Sequence, residues 1–375
     1  MSKRKRRKRL PEPVSGITIE SLSHDGRGVA HLDGKAVFID GALPGEVVSF
    51  EYRASRRRFD EGRVTAVAQA SPDRVQPGCP HFGLCGGCSL QHMEPAAQIR
   101  AKQQTLLDNL KHIGKVVPQD VLPALTGPVW GYRTKGRLGV KDVIKKGRVL
   151  VGFREKYSPY VADLAACEVL HPSIGKRIEE LAQLIGQLEG RARIPQIEVA
   201  VAGSITALVF RHLDPLSQGD LGRLKQYAME RQLHVYLQPA GPDSVQPLWP
   251  EQSVLSYQLP AESIEIRFEP TDFTQVNTAI NEKMVARVLD LLALDRNDTV
   301  LDLFCGLGNF TLPMARHAGA VIGVEGDAGL VGRARDNAAL NGLENTTFHS
   351  ANLADKNVAA AWADTACNKV LLLSL

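Results

Sequence analysis

The stretch VLDLFCGLGNFTLPMA, residues 300–315, decides how this 375-residue chain is read. Val300 to Phe304 has the apolar density of a strand buried on both faces. Gly306 and Gly308 then form a tight turn into a helix expected to begin near Asn309. Glycines there let the backbone approach a ligand, and Asp302 near the strand's end supplies an acceptor. AVIGVE (320–325) reads as the second strand, and its last residue, Glu325, can accept both hydroxyls of a ribose. Thr311 stands where a G-x-G-x-x-G fingerprint has its third glycine, which argues against a dinucleotide pyrophosphate. Helix and strand alternate from Phe268 onward, so residues 268–375 are expected to form a Rossmann-like α/β domain around a doubly wound parallel sheet.

An Asp ahead of a short G-x-G, followed by an acid on the next strand, resembles the S-adenosylmethionine (SAM)-dependent methyltransferases. That resemblance implies Phe304 and Asn309 at the methionine end and Asn352, after the third strand, beside the adenine. Just upstream lies FEPTDFTQVN (268–277), in which Phe273, Gln275 and Asn277 alternate along an extended segment. Asn277 reads as the N-cap of a helix carrying Ile280, Met284, Val288 and Leu291 on one face. Nothing in that helix pattern needs Gln275, which makes it a candidate for the site. A Rossmann-like core with no ligand is the bland alternative.

Further upstream, Cys79, Cys85 and Cys88 give the spacing C-x5-C-x2-C, and Cys167 adds a fourth thiol in LAACEVLHP. Gly83, Gly86 and Gly87 lie among the first three, where a chain wrapping a bulky ligand needs close backbone approach. Structural zinc usually takes two short Cys pairs, so a triplet plus a remote cysteine fits a [4Fe–4S] cluster better. His81 and His92 lie close in sequence and would matter for zinc. Cys305 and Cys367 sit in apolar strand contexts and read as inert core residues.

The first seventy residues have another texture. GITIESL (16–22), KAVFIDG (35–41), EVVSFEYRA (46–54) and GRVTAVAQA (62–70) alternate with period two, and Asp25-Gly26 and Asp33-Gly34 signal hairpin turns. Short strands without a helix suggest a small closed barrel. Helical spacing over 96–114 follows the cysteine loop, and residues 130–270 mix strands with helices near 173–187 and 217–232. The expected organisation is therefore a basic tail (1–10), an OB-like β-barrel (11–70), a central α+β domain with the cysteine site (71–267) and an incomplete cofactor domain (268–375).

Net charge is only +4, but KRKRRKR at 3–9 and Arg56, Arg57 and Arg58 concentrate it, as a polyanion-binding or merely solubilising feature would. No apolar run approaches the ~18 residues of a membrane span, and no apolar stretch follows the basic start as in a secretory signal. A cytoplasmic monomer with no membrane partner is expected, its thiols in a reducing compartment.

Together, GRGVAHLDGKAVFIDGALPGE, CPHFGLCGGC with Cys167, DFTQVN and DLFCGLGNFTL resemble the bacterial 23S ribosomal RNA uracil-5-methyltransferases that carry both a TRAM domain and a cluster. The likeness covers the chain from the barrel onward. It implies that Gln275, Phe304, Asn309, Glu325 and Asn352 bind SAM, that Cys79, Cys85, Cys88 and Cys167 hold the [4Fe–4S] cluster, and that 23S ribosomal RNA is the partner. In that family a cysteine thiolate adds at C6 of uracil, activating C5 for the methyl group, and a Glu removes the C5 proton. Where the family has Leu-Leu-Asp-Pro after the Lys-Val of strand four, this sequence has Leu373, Ser374 and Leu375. No catalytic residue is carried over, and the chain is expected to be inactive. The competing expectation is a non-catalytic RNA-binding protein that keeps the barrel and the cysteine site. A radical SAM enzyme fits less well, since that class uses C-x3-C-x2-C.

Overall fold

The computed structural model describes residues 9–354, 362 and 365–372. The basic run at 3–8 and the terminal Leu373, Ser374 and Leu375 lie outside the described residues. The chain divides into two compact bodies, Met1–Thr126 with Phe153–Ala162, and Gly127–Gly152 with Asp163–Leu375.

The first body opens with β1 (Val14–Thr18), β2 (Ser21–Leu22), β3 (Gly28–Leu32), β4 (Lys35–Asp40), β5 (Val47–Ser55) and β6 (Phe59–Gln69). They form one sheet in the order β1-β5-β6-β4-β3-β2, antiparallel except for the parallel β4/β6 pair. Asp33 and Gly34 join β3 to β4 with φ of 52° and 76°, the two positive values that a two-residue type I′ hairpin requires. The same two turn signals bracket β3 (GVAHL), whose own alternation is weak. Inward residues Ile19, Ala30, Val37, Ile39, Val48 and Phe50 are each at most 1% exposed and form the core. Gly62 lies under Phe50: a Cβ there would come 2.5 Å from its ring. Beyond the sheet come the cysteine loop and α1 (Pro95–His112). Helical spacing places α1 correctly, yet its apolar face is not a core face, since Ala97 alone is buried and Leu106 is 58% exposed.

In the second body, β7 (Lys135–Val143), β8 (Arg148–Gly152), α2 (Pro172–Gly175), α3 (Ile178–Gly186), β9 (Gln196–Ala202), β10 (Ile205–Arg211), α4 (Gln218–Arg231), β11 (His234–Gln238) and β12 (Gln246–Trp249) build a second sheet. Its order is β12-β11-β10-β9-β7-β8, with β10/β11 the parallel pair. The hairpin of β13 (Leu255–Leu259) and β14 (Ile264–Phe268) leads into α5 (Thr278–Leu292), β15 (Thr299–Leu303), α6 (Thr311–His317), β16 (Ala320–Glu325), α7 (Ala328–Leu340), β17 (Thr346–Ser350) and β18 (Lys369–Leu372). These last four strands pair in parallel in the order β17-β16-β15-β18.

One apolar cluster joins this body: Ala200 and Val209 of the second sheet, Ile264 and Phe268 of the hairpin, and Val300, Leu312 and Val331 of the α/β layer. Among the described residues no helix is long and apolar enough to cross a membrane. Two local expectations shift. The helix after the glycine turn starts at Thr311 rather than near Asn309, because 304–310 are taken up by turns with Phe304, Gly306 and Gly308 at positive φ. On α5 the fully buried residues are Asn281 and Val285, while Leu291 is 63% exposed. The buried stripe of α5 is therefore rotated from the one the apolar residues trace, towards a polar partner described below.

Candidate functional site

The chain leaves β15 through α6 to β16 and β17 on one side, then returns to β18 on the other. Strand order reverses there, and in open parallel sheets the crevice above the strand ends at such a point is where ligands sit. Residues for that crevice come from the loops after β15, β16 and β17. All belong to the second body.

Phe304 follows β15 directly, with φ +65°, and is 46% exposed. A left-handed aromatic residue is strained, and strain of this kind is stored where a surrounding network dictates it. Here Phe304 and Cys305 both donate their backbone N–H groups to Val324 O, at 2.8 and 3.1 Å. Gly306 and Gly308 follow at φ +55° and +93°. The turn is tied to the next strand through Glu325, whose Oε2 accepts from Gly306 N (3.1 Å). Its Oε1 accepts from Gly326 N (2.7 Å) and Asp327 N (3.2 Å). Three backbone donors thus hold one carboxylate at the mouth of the crevice. Asn352 stands exposed beyond β17, its Oδ1 accepting from Ala354 N (3.1 Å). The neighbouring Ala351 N donates to Glu325 O (2.9 Å), which brings that loop alongside.

Asp302 has a different role from the one its position suggests. It is 2% exposed, and its Oδ2 accepts the Thr311 hydroxyl at 2.5 Å, clasping β15 to the start of α6. Burial pushes its carboxyl up to about 7, against the Thr311 hydrogen bonds.

Asn309 makes three side-chain hydrogen bonds, which leave one N–H of its amide for a further partner. Its Oδ1 accepts from Asn281 Nδ2 and from the Tyr257 hydroxyl, both at 2.8 Å, and its Nδ2 donates to Asn281 Oδ1 at 2.9 Å. Gln275 lines a small cavity together with Tyr257, Asn281, Phe268 and Thr134, which places it beside the same network. The segment carrying Gln275 is pinned from β7 and the loop before it. Thr134 N donates to Val276 O (2.9 Å), and Lys135 Nζ donates to Pro270 O (2.9 Å) and to Asp272 O. Burial lowers the Lys135 ammonium to about 8, and the neutral amine still has the two N–H groups those carbonyls need. Asp272 in turn pairs with Arg333 of α7 at 2.6 Å. Asn277 caps α5, accepting from Ile280 N at 3.3 Å.

The structure therefore gathers Phe304, Asn309 and Glu325 around the glycine turn and sets Asn352 and Gln275 in adjoining segments. Sequence reading missed Asn281 and Tyr257. Asn281 carried a signal, a polar residue on the buried stripe of α5 one turn before Val285; Tyr257 carried none, since its partner lies 52 residues on.

None of the four loop cysteines is disulfide-bonded. In the first body, Gly87 N donates to Cys85 Sγ at 3.4 Å, and a Cβ on Gly87 would lie 3.4 Å from that sulfur and 3.3 Å from the Phe153 ring. A Cβ on Gly86 would meet Arg154 O at 2.9 Å. The backbone is thus packed closely at Gly86 and Gly87 beside the Cys85 thiol, while a Cβ on Gly83 would meet nothing within 4 Å. Among the described residues, no three or more His, Cys, Asp or Glu side chains converge as a metal site. Cys167, in the second body, donates its N–H to Gly175 O (2.8 Å).

Two family descriptions match the chain: a TRAM domain over residues 14–65 and tRNA (Uracil-5-)-methyltransferase over residues 187–367. The chain is 52% identical over 369 residues to the 23S rRNA (uracil(1939)-C(5))-methyltransferase RlmD of Xanthomonas campestris pv. campestris (strain 8004), spanning 98% of this chain and 83% of that protein. It is 50% identical over 370 residues to the enzyme of the same name from Alcanivorax borkumensis, again with 98% and 83% coverage. The Methylococcus capsulatus protein of that name is 51% identical over 373 residues, covering 99% and 84%. Among solved structures, the Pyrococcus abyssi tRNA (uracil-54, C5)-methyltransferase in complex with S-adenosyl-L-homocysteine shares the fold, with a TM-score of 0.66 at 19% identity over 90% of this chain and 80% of that one. On the identity to those enzymes across nearly its whole length, the chain belongs to the family of TRAM-containing 23S rRNA uracil-C5-methyltransferases.

Proposed function

We propose that this chain binds SAM above β15 and β16 and serves methylation of C5 of a uridine in 23S ribosomal RNA, as a cytoplasmic monomer. The observation that carries the reading is Glu325, a carboxylate at the end of the second strand held by three backbone N–H groups, one of them from the glycine turn. Such an acid can accept both ribose hydroxyls of an adenosine. In this reading Phe304 and Asn309 border the methionine end, Asn352 the adenine, and Gln275 reaches the site from the segment pinned by Lys135. Bound there, the cofactor supplies an electrophilic methyl group. The names of the relatives, 23S rRNA (uracil(1939)-C(5))-methyltransferases, support the RNA and the base.

Uracil C5 needs a thiolate at C6 to become nucleophilic. Of the cysteines in the α/β layer, neither Cys305 nor Cys367 is placed for that. Cys305 is 5% exposed, and burial raises its thiol far above the range of a nucleophile. Cys367 precedes β18, at the end of the sheet opposite the crevice.

Cys79, Cys85, Cys88 and Cys167 are proposed as ligands of a [4Fe–4S] cluster, which would brace the cysteine loop. The C-x5-C-x2-C spacing and the backbone packed beside Cys85 support it, although the described side chains do not themselves converge as a metal site. Iron and sulfide analysis of anaerobically purified protein should give about four of each per chain, with loss in Cys85→Ser; zinc alone would reject it.

The cofactor reading is tested by calorimetric titration with SAM. Glu325→Ala should weaken binding at least tenfold, with Glu325→Asp intermediate. Unchanged affinity in Glu325→Ala would sink it.

A further inference from the structure

The segment Phe153–Ala162 lies in sequence between strands of the second body, yet it belongs to the first. Three contacts within that body fix it. Lys156 Nζ pairs with Asp40 of β4 at 2.6 Å. Lys156 N donates to Leu84 O, and Gly86 N donates to Arg154 O, both at 2.8 Å, which ties the segment to the cysteine loop. Its own ends are closed by the Glu155 N to Tyr160 O bond and the Arg154–Val161 bridge. So anchored, it presents two large rings to solvent, Tyr157 at 58% and Tyr160 at 70% exposure. Tyr157 is held at φ +62°, a strained conformation for a bulky residue, which no core demands because the ring is outside. The guanidinium of Arg53, on the outward side of β5, lies 5.3 Å from the Tyr157 ring centre, and Lys156 Nζ lies 5.9 Å from it. Beyond Arg53, the β5–β6 turn carries exposed Arg57 and Arg58.

An exposed ring flanked by cations, with a second exposed ring three residues on, is a poor way to build a fold and a good way to bind unpaired nucleotides. A base stacks on the ring whatever its identity, and guanidinium groups follow the phosphates. A duplex hides its base faces and would engage only the charges. We propose that Tyr157 and Tyr160, with Arg53, form a stacking site for unpaired nucleotides of the RNA strand, outside the cofactor crevice. The inference rests on the RNA-directed reading above and extends it to a surface built by an excursion from the central sheet. It also gives the cysteine loop a task, since Leu84 and Gly86 hold the platform in place.

Fluorescence anisotropy with a labelled 12-nucleotide oligouridylate, over a salt series on the full chain, tests this. Tyr157→Ala with Tyr160→Ala should weaken binding on the order of tenfold or more while leaving the slope of log affinity against log salt unchanged. Arg53→Gln should lower that slope by roughly 0.7. Tyr157→Phe with Tyr160→Phe, which keeps both rings, should bind as the wild type does, showing that rings and not local collapse are measured. An RNA duplex should bind the alanine and wild-type proteins alike. Alanine variants that bind the oligouridylate within twofold of wild type, phenylalanine variants as weak as the alanine ones, or an equal loss for duplex would each overturn the proposal. SAM titration of the same variants should be unaffected, so a failed cofactor site and a failed stacking site give separate results.

Discussion

Asp302 and Glu325 end neighbouring strands, and their surroundings give them opposite work. Glu325 remains at the crevice mouth with backbone donors on both oxygens. Asp302 is walled in and held up to about 7, chiefly by burial. An unfolded aspartate ionises near 4, so between about pH 4 and 7 the folded chain keeps a proton that the unfolded chain has released. The folded state therefore loses stability from this group as pH rises through that window. Asp302→Asn removes the titration while keeping a partner for Thr311. The melting temperature of the variant minus that of wild type should rise from pH 5 to pH 8; a constant difference would show that the carboxyl does not titrate there. Gly308 makes a second residue-scale case. At φ +93°, with a Cβ that would come 2.9 Å from Leu312 Cγ, Gly308→Ala should cost more than about 1 kcal/mol in urea unfolding and weaken SAM binding with it.

At the scale of elements, α5 and the turn before α6 meet through the paired amides of Asn281 and Asn309, with Tyr257 of β13 as third partner. Asn281 is 2% exposed. Removing it leaves Asn309 without two bonds and opens space beside Gln275. Asn281→Ala should cost about 1–3 kcal/mol by denaturant titration, and a cost under about 0.5 kcal/mol would mean that the pair is replaced by water. The face of α5 is explained by the same pair. Its apolar residues alone point the helix through Ile280, Met284, Val288 and Leu291, but burying a reciprocal amide pair turns it towards Asn281 and Val285.

On the scale of the whole molecule, each body rests on its own core. In the first, Glu46 is fully buried, accepting from Leu43 N (2.8 Å) and Ser71 N (3.2 Å) and paired with Arg74. Burial alone would raise its carboxyl; the Arg74 pair and those N–H groups outweigh that and hold it below the usual range. Arg74 also donates to Gly41 O at 2.7 Å, so the pair staples the β4–β5 connection to the chain after β6. Removing the carboxylate leaves Leu43 N and Ser71 N without an acceptor and the quarter-exposed Arg74 without its partner, and Glu46→Ala should destabilise the N-terminal sheet by about 2–3 kcal/mol. Hydrogen exchange should show protection lost across residues 14–69 and retained in β15 to β17. Uniform loss in both regions would mean that the two bodies unfold as one.

What the sequence determined by itself is whatever nearest neighbours dictate. The type I′ turn at Asp33-Gly34, the period-two strands around it, β16 at 320–325 and the N-cap at Asn277 follow from backbone preferences and burial periodicity, which act over a few residues. The glycine turn and Glu325 were legible for the same reason. Tertiary structure alone decided which body each segment joins, where the strand order reverses, and which polar groups find partners. Residues 153–162 fall within the expected central domain of 71–267, yet Asp40 of β4 and the cysteine loop claim them. Asp302 read as a ligand acceptor, and Thr311 closed it off. In each case the deciding contact spans a separation over which local preference carries no information, while an unpaired buried charge or amide costs enough to fix the outcome.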